Sequence, residues 1–162
     1  MRKMRARLLA LLAAACLVAI DRYIKYLVGL RIAPDQTRRL LPGLRLRYTV
    51  NTGVSFSLLG NSPWAMRIVT VLTVIAMAAG VVLVLLGKIR PAPALAAAAL
   101  ILAGGTGNLV DRLLQGYVVD YLEFTFVHFA VFNFADICIT CGVALLTIWV
   151  LWDEWHKKRT AA

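Results

Sequence analysis

The sequence predicts an all-α membrane protein with four transmembrane helices and a small extracytoplasmic β-element. Of its 162 residues 61% are hydrophobic, and the mean hydropathy is +0.78. These values are well above those of a soluble domain. Four apolar runs reach or approach the ~20 residues that cross a bilayer. They cover about 8–30, 64–86, 93–114 and 137–152, so we expect residues 1–162 to form a single integral membrane domain.

The charge distribution predicts how the helices cross the membrane. The net charge is +10, and the basic residues flank the apolar runs. Anionic lipid headgroups are therefore the expected partner, and nucleic acid is not. Nine Lys and Arg residues lie on the side of the two termini and six on the opposite side. The positive-inside rule then places both termini in the cytoplasm and the loops 31–63 and 115–136 outside.

The first span begins with a segment that also resembles a secretory or lipoprotein signal peptide. A basic start, an apolar run and small residues precede Cys16. The apolar run continues past Cys16 and then meets Asp21 and Lys25, whereas polar sequence would follow a cleaved signal. We therefore expect a retained span. Asp21 and Lys25 lie one turn apart on the same helix face, which fits either an interfacial ion pair or a clamp beside a site.

The first outer loop contains the predicted β-element. Pro34–Gln36 is typical of a turn. The segment Leu44–Val50 alternates apolar and polar residues, as a strand does. Asn51–Gly53 is typical of a second turn, and Val54–Leu58 is consistent with a second strand. The arginines of this loop suit contact with anionic lipid, steering of a substrate, or a solvated surface.

The second and third spans are expected to form an antiparallel hairpin. The second span is apolar after its first turn and is interpreted as scaffold. The third begins at Pro93, a favourable first helical position, and Gly116 is a suitable C-cap. Small residues let a helix or a ligand approach the backbone closely. Three glycines give the third span such a face: Gly104, Gly105 and Gly107.

Acidic residues that are far apart in sequence gather at the predicted outer boundary of the membrane. Four of the eight Asp and Glu residues lie between positions 104 and 136. Carboxylates inside a membrane are costly, so several at one depth on different helices indicate a functional site. The acids at this depth are Asp21, Asp111, Asp120, Glu123 and Asp136.

Two copies of Asn-x-x-Asp occur in this region. In the second copy, Asn133 suits the N-cap of the fourth span, and Asp136 suits its first turn. This is also the purely structural explanation of that motif. In the first copy, Asn108 and Asp111 share one face of the third span with Arg112.

No motif for phosphate binding, a nucleophilic serine or a metal centre is present. Cys138 and Cys141 lie on one helix face inside the membrane, without the further ligands that zinc requires. We therefore expect no metal and no cofactor. The candidate chemistry belongs to the carboxylates.

Two carboxylates in a low-dielectric site share a proton, so one can withdraw a proton from water while the other donates to a carbonyl. Asp136 at a helix N-terminus is expected in its charged form. Asp111 precedes Arg112, which suits a fixed structural pair, whereas Asp120 on a connecting segment is freer to face a substrate. This favours Asp120 with Asp136 and leaves Asp111 with Asp136 as the alternative.

Two other classes of function compete with peptide hydrolysis. An ion- or proton-coupled transporter also uses intramembrane acids, but these acids cluster on one side and form no chain across the bilayer. A membrane chaperone or scaffold without catalytic activity is compatible with the composition. The two can be separated from an enzyme by a cleavage assay.

Five motifs in order resemble bacterial lipoprotein signal peptidase, of the signal peptidase II type, over nearly the whole chain. They are Asp21-x-x-x-Lys25, Asn51-Thr-Gly53-Val-Ser-Phe56, Gly104-Gly-Thr-Gly107-Asn108-Leu-Val-Asp111-Arg112, Val118-Val-Asp120-Tyr121 and Phe132-Asn133-Phe-Ala135-Asp136. One departure is Phe129-Ala-Val-Phe132, where the family pattern leads us to expect a proline. Its absence is expected to loosen the entry to the fourth span.

The resemblance implies an aspartic endopeptidase of the bacterial inner membrane that cuts prolipoproteins before a diacylglyceryl-modified cysteine. It also implies sensitivity to globomycin, a cyclic lipopeptide. By the family pattern the catalytic pair corresponds to Asp120 and Asp136. The supporting and substrate-binding residues correspond to Asp21, Lys25, Asn51, Gly53, Gly107, Asn108, Asp111, Arg112, Asn133 and Ala135. We expect the lipid chains to enter laterally and the signal peptide to lie along the glycine-rich face of the third span.

Overall fold

The computed structural model describes residues 2–33, 36–52 and 63–161. Four helices and three strands occur within these ranges. In chain order they are α1 (Arg2–Arg31), β1 (Thr37–Leu41), β2 (Leu44–Asn51), α2 (Pro63–Leu85), α3 (Ala92–Gln115), β3 (Val118–Phe124) and α4 (Phe134–Ala161). The four predicted helices are present, and α1 and α4 extend beyond their apolar runs into their charged ends.

Three of the described helices are long and apolar enough to cross a membrane. Their spans are Trp64–Leu85, Ala92–Gln115 and Phe134–Thr160. The helix α1 differs because Asp21, Arg22 and Lys25 interrupt its apolar run. Length and composition therefore identify three candidate spans among the described helices, and α1 is not one of them.

The helix α3 is the central element of the bundle. Its most apolar stretch is 61% buried, against 6% for the corresponding stretch of α2. It packs against α1, α2 and α4, and its small residues make this possible. The apolar cluster around it contains Ala14, Val84, Leu95, Ala99, Leu102 and Ala103. The apolar outer surface of α2 is then left to face lipid, as a membrane helix requires.

The glycines of α3 are positions of close helix packing. A Cβ at Gly104 would lie 2.2 Å from the carbonyl oxygen of Ala135, and one at Gly105 would lie 2.4 Å from Sδ of Met77. A Cβ at Gly107 would lie 2.8 Å from Oδ2 of Asp21. The expectation that a signal peptide lies along this face is therefore wrong, because α1, α2 and α4 already occupy it.

We expect Gly104→Ala to destabilise the protein, because its methyl group would force α3 away from the backbone of α4. Overpacking of this kind costs about 1–3 kcal/mol. Gly29→Ala is the matched control, since its Cβ would meet nothing nearer than the Tyr48 ring at 3.9 Å. Thermal unfolding in detergent measures both. Equal unfolding temperatures for the two variants would contradict close packing at Gly104.

The described strands form one antiparallel sheet in the order β1-β2-β3. The strand predicted over Leu44–Val50 is confirmed as β2. Strand β1 was not predicted, although Gly43, with φ of +84°, marks the tight turn that joins it to β2. The predicted turn at Pro34–Gln36 and the predicted strand Val54–Leu58 fall wholly or partly outside the described residues.

One face of the sheet packs on the end of α1. Val28 and Ile32 form an apolar cluster with Val119, Tyr121 and Leu122 of β3. Because β3 follows α3 after the left-handed Gly116, which ends the helix as predicted, the sheet stands at one end of the bundle. This arrangement places β3 beside the first turn of α4.

Candidate active site

Asn133 directly precedes α4 and caps the first turn of that helix. Its Oδ1 accepts the backbone N–H of Asp136 at 3.0 Å, and its own N–H donates to Oδ2 of Asp136 at 3.0 Å. This reciprocal pair is a capping box, so the predicted N-cap is confirmed. The cap also fixes the position of the Asp136 carboxylate.

The side-chain amides of two asparagines join Asp120 and Asp136 into one polar network. Asn133 Nδ2 donates to Asp120 Oδ1 at 2.7 Å and to Asn108 Oδ1 at 3.0 Å. Asn108 Nδ2 donates to Asp136 Oδ1 at 2.8 Å. Residues from α3, β3 and α4 are thus held in one arrangement, with Asn133 in contact with both carboxylates.

Asp120 occupies a position that alters its acidity. It is buried on β3, and its Oδ2 accepts a hydrogen bond from Asn51 Nδ2 at 3.0 Å. Burial raises the pKa of Asp120 to about 6, and the nearby charge of Asp136 adds to the rise. The hydrogen bonds from Asn51 and Asn133 oppose it. Asp120 therefore titrates closer to neutrality than an ordinary aspartate.

Asp111 lies behind this network and belongs to a buried ionic cluster. Its Oδ2 lies 2.8 Å from Lys25 Nζ, and its Oδ1 pairs with Arg22. It also accepts the backbone N–H of Val119 at 3.2 Å. Its side chain is 0% exposed, and the cavity described below is not lined by it. Asp111 thus joins α1, α3 and β3.

The expected pairing of Asp111 with its neighbour Arg112 is wrong. Arg22 and Lys25 of α1 take that place, because they face the side of α3 on which Asp111 lies. Arg112 instead lines the cavity, and its Nη1 donates to the carbonyl oxygen of Asn108 at 3.4 Å. Its buried Nε has no hydrogen-bond partner among the described residues.

Sequence reasoning missed Arg22. Arg22 follows Asp21 directly within an apolar run, and a charged side chain in that position needs a partner of opposite charge. The sequence therefore contained the signal that identifies Arg22 as a member of the ionic cluster. Tyr121 was quoted only as part of a motif, yet its hydroxyl accepts the N–H of Phe134 at 3.1 Å. That contact ties β3 to the first residue of α4.

Asp21 and Lys25 form a buried ion pair that also contacts residues of the site. Lys25 Nζ lies 2.9 Å from Asp21 Oδ2 and donates to Asn108 Oδ1 at 3.1 Å. Asp21 Oδ1 accepts the backbone N–H of Ala135 at 3.1 Å. Both side chains are buried. Of the two interpretations left open by the sequence, the structure therefore supports the clamp.

The carboxylates of Asp120 and Asp136 line a common cavity of about 380 Å³. Its other polar lining residues are Asn51, Asn108 and Arg112. The rest of its wall is largely apolar and consists of Val118, Phe124, Phe129, Ala130, Val131, Phe132, Ile137, Thr140 and Cys141. A peptide that carries a large apolar substituent fits such a combination of polar and apolar walls.

Glu123 does not join the four aspartates, because Arg45 and Arg47 pair with it on another part of the sheet. The segment before Asn133 is not loosened by the missing proline, since Phe132 and Leu122 exchange backbone hydrogen bonds of 2.7 and 2.9 Å. Gly53 lies outside the described residues.

Fold and site define a helical membrane protein with two carboxylates in one cavity at the end of its bundle. A solved structure described as a bacterial membrane enzyme, at 2.3 Å resolution, matches it with a TM-score of 0.82 and 28% identity. The match covers 91% of this chain and 90% of that one. A second structure with the same description, at 1.9 Å, gives a TM-score of 0.79 over 88% of this chain and 92% of that one, also with 28% identity.

The family model of signal peptidase (SPase) II matches residues 13–152. The lipoprotein signal peptidase of Brevibacillus brevis is 36% identical over 143 residues, 88% of this chain and 94% of that protein. That of Streptococcus thermophilus is 37% identical over 145 residues, 88% and 91% of the two chains. The chain therefore belongs to the signal peptidase II family and is a membrane peptidase, which confirms the resemblance.

Proposed function

We propose that this protein is an aspartic lipoprotein signal peptidase, which cuts prolipoproteins before their diacylglyceryl-modified cysteine. Asp120 and Asp136 are the catalytic pair. The observation that carries this proposal is that both carboxylates line one cavity and are joined through Asn133. Asp111, the alternative partner of Asp136, is enclosed by Arg22 and Lys25 and is not part of the cavity wall.

We place the protein in the bacterial inner membrane with α1 as its fourth span. Asp21 and Lys25 point into the protein and are neutralised there, while Leu8, Leu12 and Ile20 remain exposed. A helix with this distribution can face lipid despite its charges. The excess of positive charge then puts both termini in the cytoplasm and the cavity at the outer face.

The reaction needs one ionised and one protonated carboxyl group. Asp136 accepts two N–H hydrogen bonds at the start of a helix, and we assign it the role of base. It takes a proton from a water molecule, which attacks the scissile carbonyl carbon, while Asp120 donates its proton to the carbonyl oxygen. The tetrahedral intermediate then collapses: the cysteine amine leaves with the proton held by Asp136, and a hydroxyl proton of the intermediate returns to Asp120.

The other predicted site residues support this pair in different ways. Asn51, Asn108 and Asn133 orient the carboxylates, and Arg112 offers N–H donors to a substrate carbonyl. Asp21, Lys25 and Asp111 hold α1 against α3. Gly107 and Ala135 allow the close approach of α3 and α4, and Gly53 is assigned to substrate binding by resemblance alone.

The apolar part of the substrate follows α4 in this proposal. Ile137, Thr140 and Cys141 continue the cavity wall away from the carboxylates, and Ile137 and Cys141 are exposed. The diacylglyceryl chains and the signal peptide can therefore approach laterally along this surface. A globomycin-type lipopeptide would compete for the same cavity.

A cleavage assay separates this enzyme from an ion- or proton-coupled transporter. Purified protein in detergent, without a membrane and therefore without a proton gradient, should cleave a lipidated precursor in the presence of a chelator. Cleavage that depends on a proton gradient in sealed vesicles would favour the transporter.

Asn51→Ala should move the basic limb of the pH profile of kcat/KM to higher pH. The amide of Asn51 stabilises the ionised form of Asp120 and thereby lowers its pKa. Without this hydrogen bond the pKa of Asp120 rises above about 6, so the proton donor stays protonated to higher pH. Val50→Ala, on the opposite face of β2, is the control. An Asn51→Ala profile that moves to lower pH would contradict the role of Asp120 as proton donor.

A further inference from the structure

A second groove opens on the sheet beside the active-site cavity. It has a volume of about 740 Å³. Its lining residues are Arg45, Arg47, Glu123, Phe124, Thr125, Phe126, Val127, His128, Phe129, Ala130 and Val131. We call it the basic groove. Nothing in the proposed reaction at Asp120 and Asp136 uses it.

The basic groove adjoins the active-site cavity. Phe124, Phe129, Ala130 and Val131 line both of them. The ring centroids of Phe124 and Phe129 lie 5.9 Å apart, and Phe124 also contacts Phe126 at 5.4 Å. These rings form an aromatic wall at the boundary between the cavity and the groove. A chain that leaves the scissile bond along this wall enters the basic groove.

The groove carries an excess of positive charge. Arg45 Nε donates to Glu123 Oε2 at 2.7 Å, and Arg47 Nη1 donates to Glu123 Oε1 at 3.3 Å. Two guanidinium groups thus share one carboxylate, which is the only acid among the described lining residues. The arginine side chains are 39% and 42% exposed, whereas that of Glu123 is 13% exposed. Most of their N–H donors remain open to a ligand.

The position of the groove fixes which part of a substrate reaches it. Glu123 lies three residues from Asp120 along β3, and Arg47 lies four residues from Asn51 along β2. At ~3.3 Å per residue these separations are about 10 and 13 Å. An extended chain spans such distances in three to five residues. Because the signal peptide stays in the membrane, the segment that arrives here is the mature chain.

We propose that the basic groove binds the mature segment of the substrate and favours acidic side chains at about its third to fifth residues. This inference rests on the proposed function. Arginine pairs with carboxylates through fixed N–H donors, and the aromatic wall holds the extended backbone beside them. The groove thereby selects among prolipoproteins after the lipidated cysteine has been positioned.

The test compares two diacylglyceryl precursors that differ only at mature residues three to five, which are acidic in one and are Asn or Gln in the other. Wild-type protein should cleave the acidic form with a kcat/KM about twofold to fivefold higher, as expected for exposed charge pairs. The difference should lie in KM. Arg45→Gln/Arg47→Gln should abolish this difference and leave the neutral precursor unaffected. Arg31→Gln/Arg38→Gln removes the same charge outside the groove and should preserve the difference.

A second variant keeps the test decisive if the double variant does not fold. Glu123→Gln frees both arginines and should increase the preference for the acidic precursor. Equal cleavage of both precursors by the wild type would overturn the proposal. An effect of the arginines that appears only in bilayers with anionic phospholipid would assign the groove to lipid. No cleavage of either lipidated precursor would instead contradict the proposed function itself.

Discussion

Asp120→Asn and Asp136→Asn should each give a folded protein that leaves lipidated prolipoprotein uncleaved. Each substitution keeps the shape of the side chain, and an amide can neither donate nor accept the proton that the reaction transfers. A positioned acid or base contributes about 10²–10⁴-fold to rate, so we expect losses of this size or more. Single-turnover cleavage of a diacylglyceryl precursor measures the loss.

Asp153→Asn is the matched control for both variants. It removes a carboxylate from the far end of α4, where Asp153 pairs with Lys157 at the surface. This variant should cleave at the wild-type rate, since an exposed pair of this kind contributes little. Near-normal cleavage by either Asp120→Asn or Asp136→Asn, in a folded protein, would refute the proposed catalytic pair.

Asp111→Asn should lose stability together with activity. Asp111 is fully buried and contacts two cations, Arg22 and Lys25. Breaking a buried ion pair by removing one partner costs about 3–5 kcal/mol. We expect the lower end of this range because Lys25 keeps its contact with Asp21. Unfolding of the purified variant in detergent, followed by circular dichroism, measures the change.

A double-mutant cycle distinguishes this structural role from a catalytic one. If Asp111 and Arg22 stabilise each other, adding Arg22→Gln to Asp111→Asn should cost less than the sum of the single effects. A variant Asp111→Asn that is as stable as the wild type and yet inactive would make Asp111 the partner of Asp136. That outcome would restore the alternative that the sequence left open.

The helices were predictable because each apolar run reaches or approaches the length that crosses a bilayer, and few other structures are compatible with such a run. The described sheet was only partly predictable. Leu44–Asn51 alternates visibly and was recognised, whereas Thr37–Leu41 has two adjacent arginines and two adjacent leucines and so shows no alternation. Its position as a strand follows from pairing with β2, which is a contact that the local sequence does not specify.

The members of the site were predictable, but their partners were not. Carboxylates inside a membrane are energetically costly, so their presence there indicates a functional site. This argument identified the aspartates without any knowledge of their contacts. The choice of Arg22 over Arg112 as a partner for Asp111 depends on how α1 and α3 are rotated against each other. Arg112 was predicted as the partner because it is adjacent to Asp111 in sequence, whereas the packing of α1 on α3 places Arg22 against Asp111. The difference between the two Asn-x-x-Asp motifs was predictable, since only the second stands at the start of a helix.

One cleavage experiment tests the central proposal most directly. Purified protein in detergent is given a diacylglyceryl-modified precursor or the same precursor without its lipid, in the presence of a chelator. We predict that the lipidated precursor is cut immediately before its cysteine, that the unlipidated one is not, and that Asp120→Asn and Asp136→Asn abolish the reaction. Cleavage of both precursors at similar rates, or undiminished cleavage by either variant, would contradict the account.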